Sequence, residues 1–191
     1  MSLFKKPQVV EQRFVEREVP PLPKPKKEKL VQIYTYQQND TFKGHKSISL
    51  YVKNNPEALK NINALKVPNK NYVFDPATVQ LPEDYSSSSY KVDKYFFPFK
   101  KRLIVLKEYL RDKETALDVF VNDYYVGSLP VQGDRQTELY QAIQNDTLES
   151  VHVRIEPEYH NTARTEKKKR IIETEEQFKV YLFYKLKEAK Q

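Results

Sequence analysis

Chemistry in a protein needs particular side chains at particular spacings, and this chain holds few of them. Its three histidines, His45, His152 and His160, have no partner at an HxH or HExxH spacing, so no imidazole metal site is predicted. There is no cysteine, which excludes thiolate zinc sites, disulfides and cysteine nucleophiles. The only glycines are Gly44, Gly127 and Gly133, too few and too scattered for a phosphate-binding or dinucleotide-binding loop. Gly127-Ser128-Leu129-Pro130 does not make a serine nucleophile elbow. Carboxylates are the remaining route, since pairs of Asp and Glu can hold Mg²⁺ for phosphodiester cleavage. Glu108, Asp112, Glu114, Asp118 and Asp123 cluster in sequence, but Glu108-Tyr109-Leu110-Arg111 is a poor substitute for the Glu-x-Lys pair of a nuclease. The expectation is a protein without catalytic residues, metal or cofactor.

Cations and rings are better represented. Nucleic-acid binding wants basic side chains that neutralise phosphates and aromatic rings on which bases stack. Residues 94–102, KYFFPFKKR, supply both, and Tyr95, Lys100, Lys101 and Arg102 are the predicted contacts. Phe96, Phe97 and Phe99 rank behind them, because all three cannot be exposed on a soluble domain without a partner. A second basic run, Lys167-Lys168-Lys169-Arg170, is expected to add phosphate contacts.

The net charge of +7 is unevenly placed. Residues 1–29 carry 8 basic and 4 acidic side chains, residues 161–191 carry 9 and 5, and residues 30–160 carry 16 and 17. Excess positive charge therefore belongs to the two ends. Within the centre, Lys91 to Lys113 holds 8 basic against 3 acidic residues, whereas Glu114 to His160 holds 2 against 9. Fourteen Tyr and 10 Phe with few glycines point to an ordered, strand-rich interior.

The elements that must position these residues follow from pattern. Residues 1–29 run into Pro20-Pro21-Leu22-Pro23-Lys24-Pro25, which reads as an extended arm. Arg17, Pro20 and Pro23 have the RxxPxxP spacing of proline-rich ligands. From Leu30, alternation of Val31, Ile33 and Thr35 with Gln32, Tyr34 and Tyr36 predicts a half-buried strand. Ser47 to Val52 predicts another. Asn55, Pro56 and Glu57 supply an N-cap, a first-turn proline and an early acidic residue for a short helix bearing Leu59, Ile62 and Leu65. Residues 66–90, with three prolines and a serine run, read as a long connection. Leu103 to Leu106 predicts a strand, and a short helix is expected over 135–145 with Leu139, Ala142 and Ile143 on one face. Residues 150–156 predict an amphipathic strand with Val151, Val153 and Ile155 inward and His152, Arg154 and Glu156 outward. The final segment suits a strand or a helix, with aromatic and β-branched residues favouring the strand.

The most informative stretch is Thr115 to Pro130, TALDVFVNDYYVGSLP. Leu117, Val119 and Val121 alternate with Asp118 and Phe120, and Asn122-Asp123 tolerates the positive φ of a tight hairpin turn. Together with the strand before it and the helix and strand after it, over about residues 103–156, this hairpin resembles the second half of a HIRAN domain. The resemblance implies a small OB-like barrel and DNA binding, including single-stranded ends. Asp112-Lys113-Glu114-Thr115 stands where that family has an NPxDPN-like box.

The expectation is thus an α+β fold: a small β-rich domain, OB-like or a partly open barrel, with two or three short helices and charged extended tails. Residues 1–29 form a proline-rich basic tail, 30–160 the globular domain with 30–90 and 91–160 as subdomains, and 161–191 a basic linker with a C-terminal strand or helix. The functional expectation is a non-catalytic accessory protein that binds single-stranded or nonspecific DNA. The alternative is an assembly component of a phage or mobile element that docks other protein subunits through its proline-rich arm and C-terminal strand. Without an 18-residue apolar stretch or a signal-peptide core, it is expected to be soluble and cytoplasmic, with no membrane partner. The Lys-, Asn- and Tyr-rich composition points to a bacterial or phage origin.

Overall fold

The computed structural model describes residues 10–16, 18–38, 44–50, 52, 54–70, 86–87, 95–97, 102–167 and 169–188. In chain order the elements are β1 (Val10–Val15), β2 (Glu28–Gln37), β3 (Lys46–Leu50), α1 (Pro56–Leu65), β4 (Val67–Pro68), β5 (Ser86–Ser87) and β6 (Tyr95–Phe96). There follow β7 (Leu103–Arg111), β8 (Glu114–Val121), β9 (Tyr124–Pro130), α2 (Asp134–Gln144), β10 (Leu148–Glu166) and β11 (Lys169–Leu186). The fold is α+β, dominated by open sheets. No described helix is long and apolar enough to cross a membrane.

The chain divides into two compact units, and the long strands β10 and β11 contribute to both. The larger unit comprises Val19–Val67, Phe96–Glu156 and Phe178–Gln191. Its main sheet is antiparallel in the order β2-β7-β8-β9. Period-2 alternation gives this sheet two faces. Ile104, Leu106, Leu117, Val119, Val121 and Leu129 point into a core shared with α1, α2, β3 and the buried residues of 148–156 and 178–186. Lys107, Tyr109, Arg111, Asp118, Phe120, Tyr125 and Ser128 occupy the opposite, outer face, as the strand register requires.

Two hairpin turns set that register. Asp112 and Lys113, both at positive φ, turn β7 into β8. Asn122, at φ 55°, turns β8 into β9, and its Oδ1 accepts the Leu103 N–H at 3.1 Å. A bulge between Val119 and Phe120 shifts β9 so that Gly127 faces Val119. Gly127 has φ 151°, and a Cβ there would sit 3.1 Å from the Leu50 Cβ. Only glycine lets β9 and β3 approach this closely.

α1 begins as its sequence predicts: the Asn55 side chain accepts the Ala58 N–H at 3.1 Å, Pro56 opens the first turn, and Ala58 and Ile62 are buried. α2 buries Leu139, Ala142 and Ile143. Phe97 is core, edge-on to Phe178 with ring centroids 5.9 Å apart.

The smaller unit comprises Met1–Glu18, Pro68–Tyr95 and Pro157–Gln177. Here β1 adds parallel to β11 through Val10 to Val15, and β5 pairs with β10 at Asn161 and Thr162. Tyr159, Ala163, Ile171 and Ile172 are buried. A buried polar relay crosses the strands, Gln12 Nε2 donating to Thr174 Oγ1 at 2.9 Å and Thr174 Oγ1 to Asn161 Oδ1 at 2.7 Å.

Several expectations change. Residues 161–166 and 169–177, expected to be a basic linker, are strand, because Ile171 and Ile172 and the polar relay among Asn161, Thr174 and Gln12 compensate for their charged neighbours. Residues 10–15, expected to lie in a tail, are the strand β1. The C-terminal segment is strand, the end of β11, and Val180 to Tyr184 already pair with β3 along one edge and β10 lies along the other, so those edges are not free to dock. His152, expected to face solvent, is only 2 % exposed, because its strand is covered on both faces and the ring sits edge-on to Phe183. Asp118 keeps the face opposite Leu117, Val119 and Val121 that its alternation predicts, but it is buried there. On β2 the aromatic face, Tyr34 and Tyr36, packs on the core, while Val31 and Ile33 are about half exposed.

Candidate functional site

The outer face of the β2-β7-β8-β9 sheet carries a groove of about 920 Å³. Its floor is the outward row of the hairpins, Tyr109, Arg111, Asp118, Phe120, Tyr125 and Ser128. One wall is the start of α1, Asn55 to Glu57, and the other is the extended segment Pro21 to Pro25. This volume lies near the upper end of the range for ligand sites.

At its centre is an ion pair. Arg111 reaches diagonally across the β7–β8 ladder and grips both oxygens of Asp118 at 2.8 and 2.5 Å. The same guanidinium donates to Ser128 Oγ at 3.0 Å and to Glu28 at 3.3 Å, and it stacks over the Tyr109 ring at 4.8 Å. The Asp118 side chain is only 10 % exposed. Such bidentate, charge-assisted contacts fix both groups in orientation, and the hydrogen bond to Asp118 drives the Arg111 pKa further up.

The rings are similarly fixed. Phe120 leans on Tyr125 with centroids 5.6 Å apart, and Lys107 Nζ lies 4.2 Å over the Phe120 ring. Asn55 Nδ2 donates to the Tyr125 hydroxyl at 2.9 Å, and Asn61 Nδ2 donates to the Tyr125 carbonyl at 3.1 Å. Burial pushes the Tyr125 phenol up to about 12, with nearby Asp118 adding to the shift. The residue that caps α1 thus also holds an aromatic residue of the groove.

The proline wall is anchored at one end. The Asp112 carboxylate accepts the backbone N–H groups of Lys26 and Lys27 at 3.3 and 2.9 Å, and the Asp112 N–H donates to the Lys27 carbonyl at 2.9 Å. Beyond this clasp Pro21, Leu22, Pro23 and Lys24 stay exposed, Leu22 at 46 %. The groove's ionisable lining is Glu28, Glu57, Asp112 and Asp118 against Lys24 and Arg111. It is acidic in balance and suits a cationic or apolar ligand better than a phosphate.

On the inner face a second polar cluster ties α2 to the sheet. Glu108, 5 % exposed, accepts hydrogen bonds from the Tyr34 and Tyr140 hydroxyls, each at 2.8 Å, and from Gln144 Nε2 at 3.1 Å. Burial and the bond to Glu108 raise the Tyr34 phenol to about 12. Glu108 is a fully engaged structural acceptor. Among the described residues, no three of His, Asp or Glu gather to hold a metal ion.

Comparison of the chain with family models, curated proteins and solved structures finds no match.

The predicted nucleic-acid contacts are not brought together at the groove. Arg102 is 5 % exposed, and burial lowers its pKa, so it is not displayed for a phosphate. Tyr95 lies in β6, its side chain outside the described residues, as are Lys100, Lys101 and Lys168. Lys167, at φ 46°, and Lys169 are exposed at the β10–β11 turn, and Arg170 is half-buried beside them. Of the groove residues, Tyr109 and Arg111 belong to no motif, and Asp118 and Phe120 enter the sequence reading only as alternate positions of the hairpin strand and, for Asp118, as one of several carboxylates. Their signal was the Asp112-Lys113 turn: once it is read as a two-residue hairpin, Lys107 falls opposite Asp118, and Tyr109 and Arg111 follow one and two diagonal steps further on the same face.

Proposed function

We propose that this protein is a non-catalytic interaction module whose groove receives an extended segment of a partner polypeptide. The observation that supports this reading most is the groove itself: an aromatic floor, its central charges already paired, bounded by the chain's own extended prolines. Aromatic-lined grooves are how extended, proline-rich segments are commonly bound. The docking element is thus the groove beside the arm, in place of the C-terminal strand.

The test is site-directed photo-crosslinking in cells. A benzoylphenylalanine at Phe120 should give adducts that protease removes and nuclease leaves intact, while the same group at Tyr124, which is exposed outside the groove lining, should give few. Adducts from position 120 that nuclease removes, or none at all, would overturn the reading.

A second reading is single-stranded or nonspecific DNA binding, favoured by the exposed Lys167 and Lys169 with Arg170 at the β10–β11 turn. The resemblance of residues 103–156 to a HIRAN domain is the other ground for this reading. It predicts an oligonucleotide-dependent shift in gel-filtration mass at low salt that disappears at high salt. Substituting Lys167, Lys169 and Arg170 by Glu should abolish the shift. A mass indifferent to oligonucleotide at every salt concentration rejects it.

A further inference from the structure

The groove's lining and the segment beside it are chemically complementary. Four carboxylates face two cations around the aromatic floor, and the segment forming one wall, Pro20-Pro21-Leu22-Pro23-Lys24-Pro25-Lys26-Lys27, alternates prolines with lysines. Prolines present flat, preorganised rings to aromatic side chains at low entropic cost. Lysines suit the carboxylate excess. This segment is clasped at its C-terminal end by its two backbone N–H groups on Asp112, β1 ties down the chain at Val10–Val15 before it, and its apolar Leu22 remains exposed while space remains between it and the floor.

We infer that the partner segment taken by the groove is an extended run of prolines and lysines, and that Pro21–Pro25 is its in-cis competitor, clasped at the groove edge by Asp112. This rests on the peptide-docking reading above and names the partner's chemistry. The clasp uses backbone donors, so it sets the position of the strap without reading its side chains. The lysines and prolines of an incoming segment are read by Glu28, Glu57 and the rings of Tyr109, Phe120 and Tyr125. Release of the clasp frees the entrance, so occupancy of the groove depends on how often the strap is away.

The experiment uses the full chain and a fluorescent synthetic peptide copying residues 19–29. Anisotropy should show saturable binding that weakens about fivefold or more when the peptide's lysines become alanine, and that falls as salt rises. Asp112→Asn keeps a residue type that accepts the positive φ at this turn but loses the anionic acceptor. It should strengthen peptide binding about threefold to tenfold, because the competitor is released. Phe120→Ala should abolish binding, with the circular dichroism spectrum checking that the fold is kept. Absence of binding to both wild type and Asp112→Asn overturns the inference, as does equal binding of the lysine-free peptide. If position 120 still crosslinks polypeptide in cells, the groove reading survives and only the partner's chemistry is wrong. Displacement of the peptide by an oligonucleotide would instead assign the groove to nucleic acid and overturn both.

Discussion

Asp118→Ala tests whether the fork at the groove's centre holds the outer face together. The substitution removes two charge-assisted hydrogen bonds, at 2.8 and 2.5 Å, and leaves Arg111 with Ser128 and the more distant Glu28. Breaking a fully buried pair by deleting one partner costs about 3–5 kcal/mol, whereas exposed pairs are worth about 1 kcal/mol or less. Asp118 is at the buried end of that scale, but the Arg111 side chain is 24 % exposed and can recover some hydration. The expected loss is therefore about 2–3 kcal/mol. Urea unfolding followed by circular dichroism should show a lower midpoint with an unchanged slope. The double variant Arg111→Met with Asp118→Leu replaces both charges by apolar groups and should recover to within about 1 kcal/mol of wild type. A loss below about 0.5 kcal/mol for Asp118→Ala would refute the reasoning, since the pair would then behave as a solvated surface contact.

Gly127→Ala should destabilise by about 1–3 kcal/mol, because the new Cβ meets the Leu50 Cβ at 3.1 Å in a backbone region L-residues rarely adopt; thermal melting reads it, and an unchanged melting temperature would show that β3 can give way. Glu108→Leu removes the acceptor of the Tyr34 and Tyr140 hydroxyl protons, Tyr34 keeping only the bond it accepts from Gln144, and should cost about 1–3 kcal/mol in denaturant titration. Adding Tyr34→Phe and Tyr140→Phe should restore part of that loss, and failure to restore it argues for packing alone. Tyr34 and Tyr125 hold their protons more tightly folded, at about 12, than at the ordinary value of 10.0. Their contribution to stability is therefore complete below pH 10 and lost as pH rises toward 12. Absorbance at the phenolate band should show these two titrating well above the ordinary value of 10.0, and a stability that stays flat over that interval contradicts the assignment.

Local chemistry was readable wherever it was sufficient. Asn55-Pro56-Glu57 specified the start of α1, because a cap and a first-turn proline act within one turn and need no distant partner. The Asn122 turn and the alternation of Leu117, Val119 and Val121 specified the β8–β9 hairpin for the same reason. The spacing of Leu139, Ala142 and Ile143 likewise specified the buried stripe of α2.

What the sequence could not specify is which face of a strand meets the core when both faces are apolar or both are polar. Val31 and Ile33 read as well as Tyr34 and Tyr36 for burial, and the choice went to the tyrosines, whose rings pack on the core while the Tyr34 hydroxyl finds Glu108. Charge misled at 161–177, because the composition of a segment does not show that its carboxylates and amides find partners across a sheet. The chain by itself determined the α1 cap, the Asn122 turn and the stripe of α2, all properties of residues near one another in sequence. Only the tertiary structure placed Arg111 on Asp118, Asn55 on Tyr125 and Asp112 on the proline arm, because each of those contacts depends on the register between strands and the docking of distant segments.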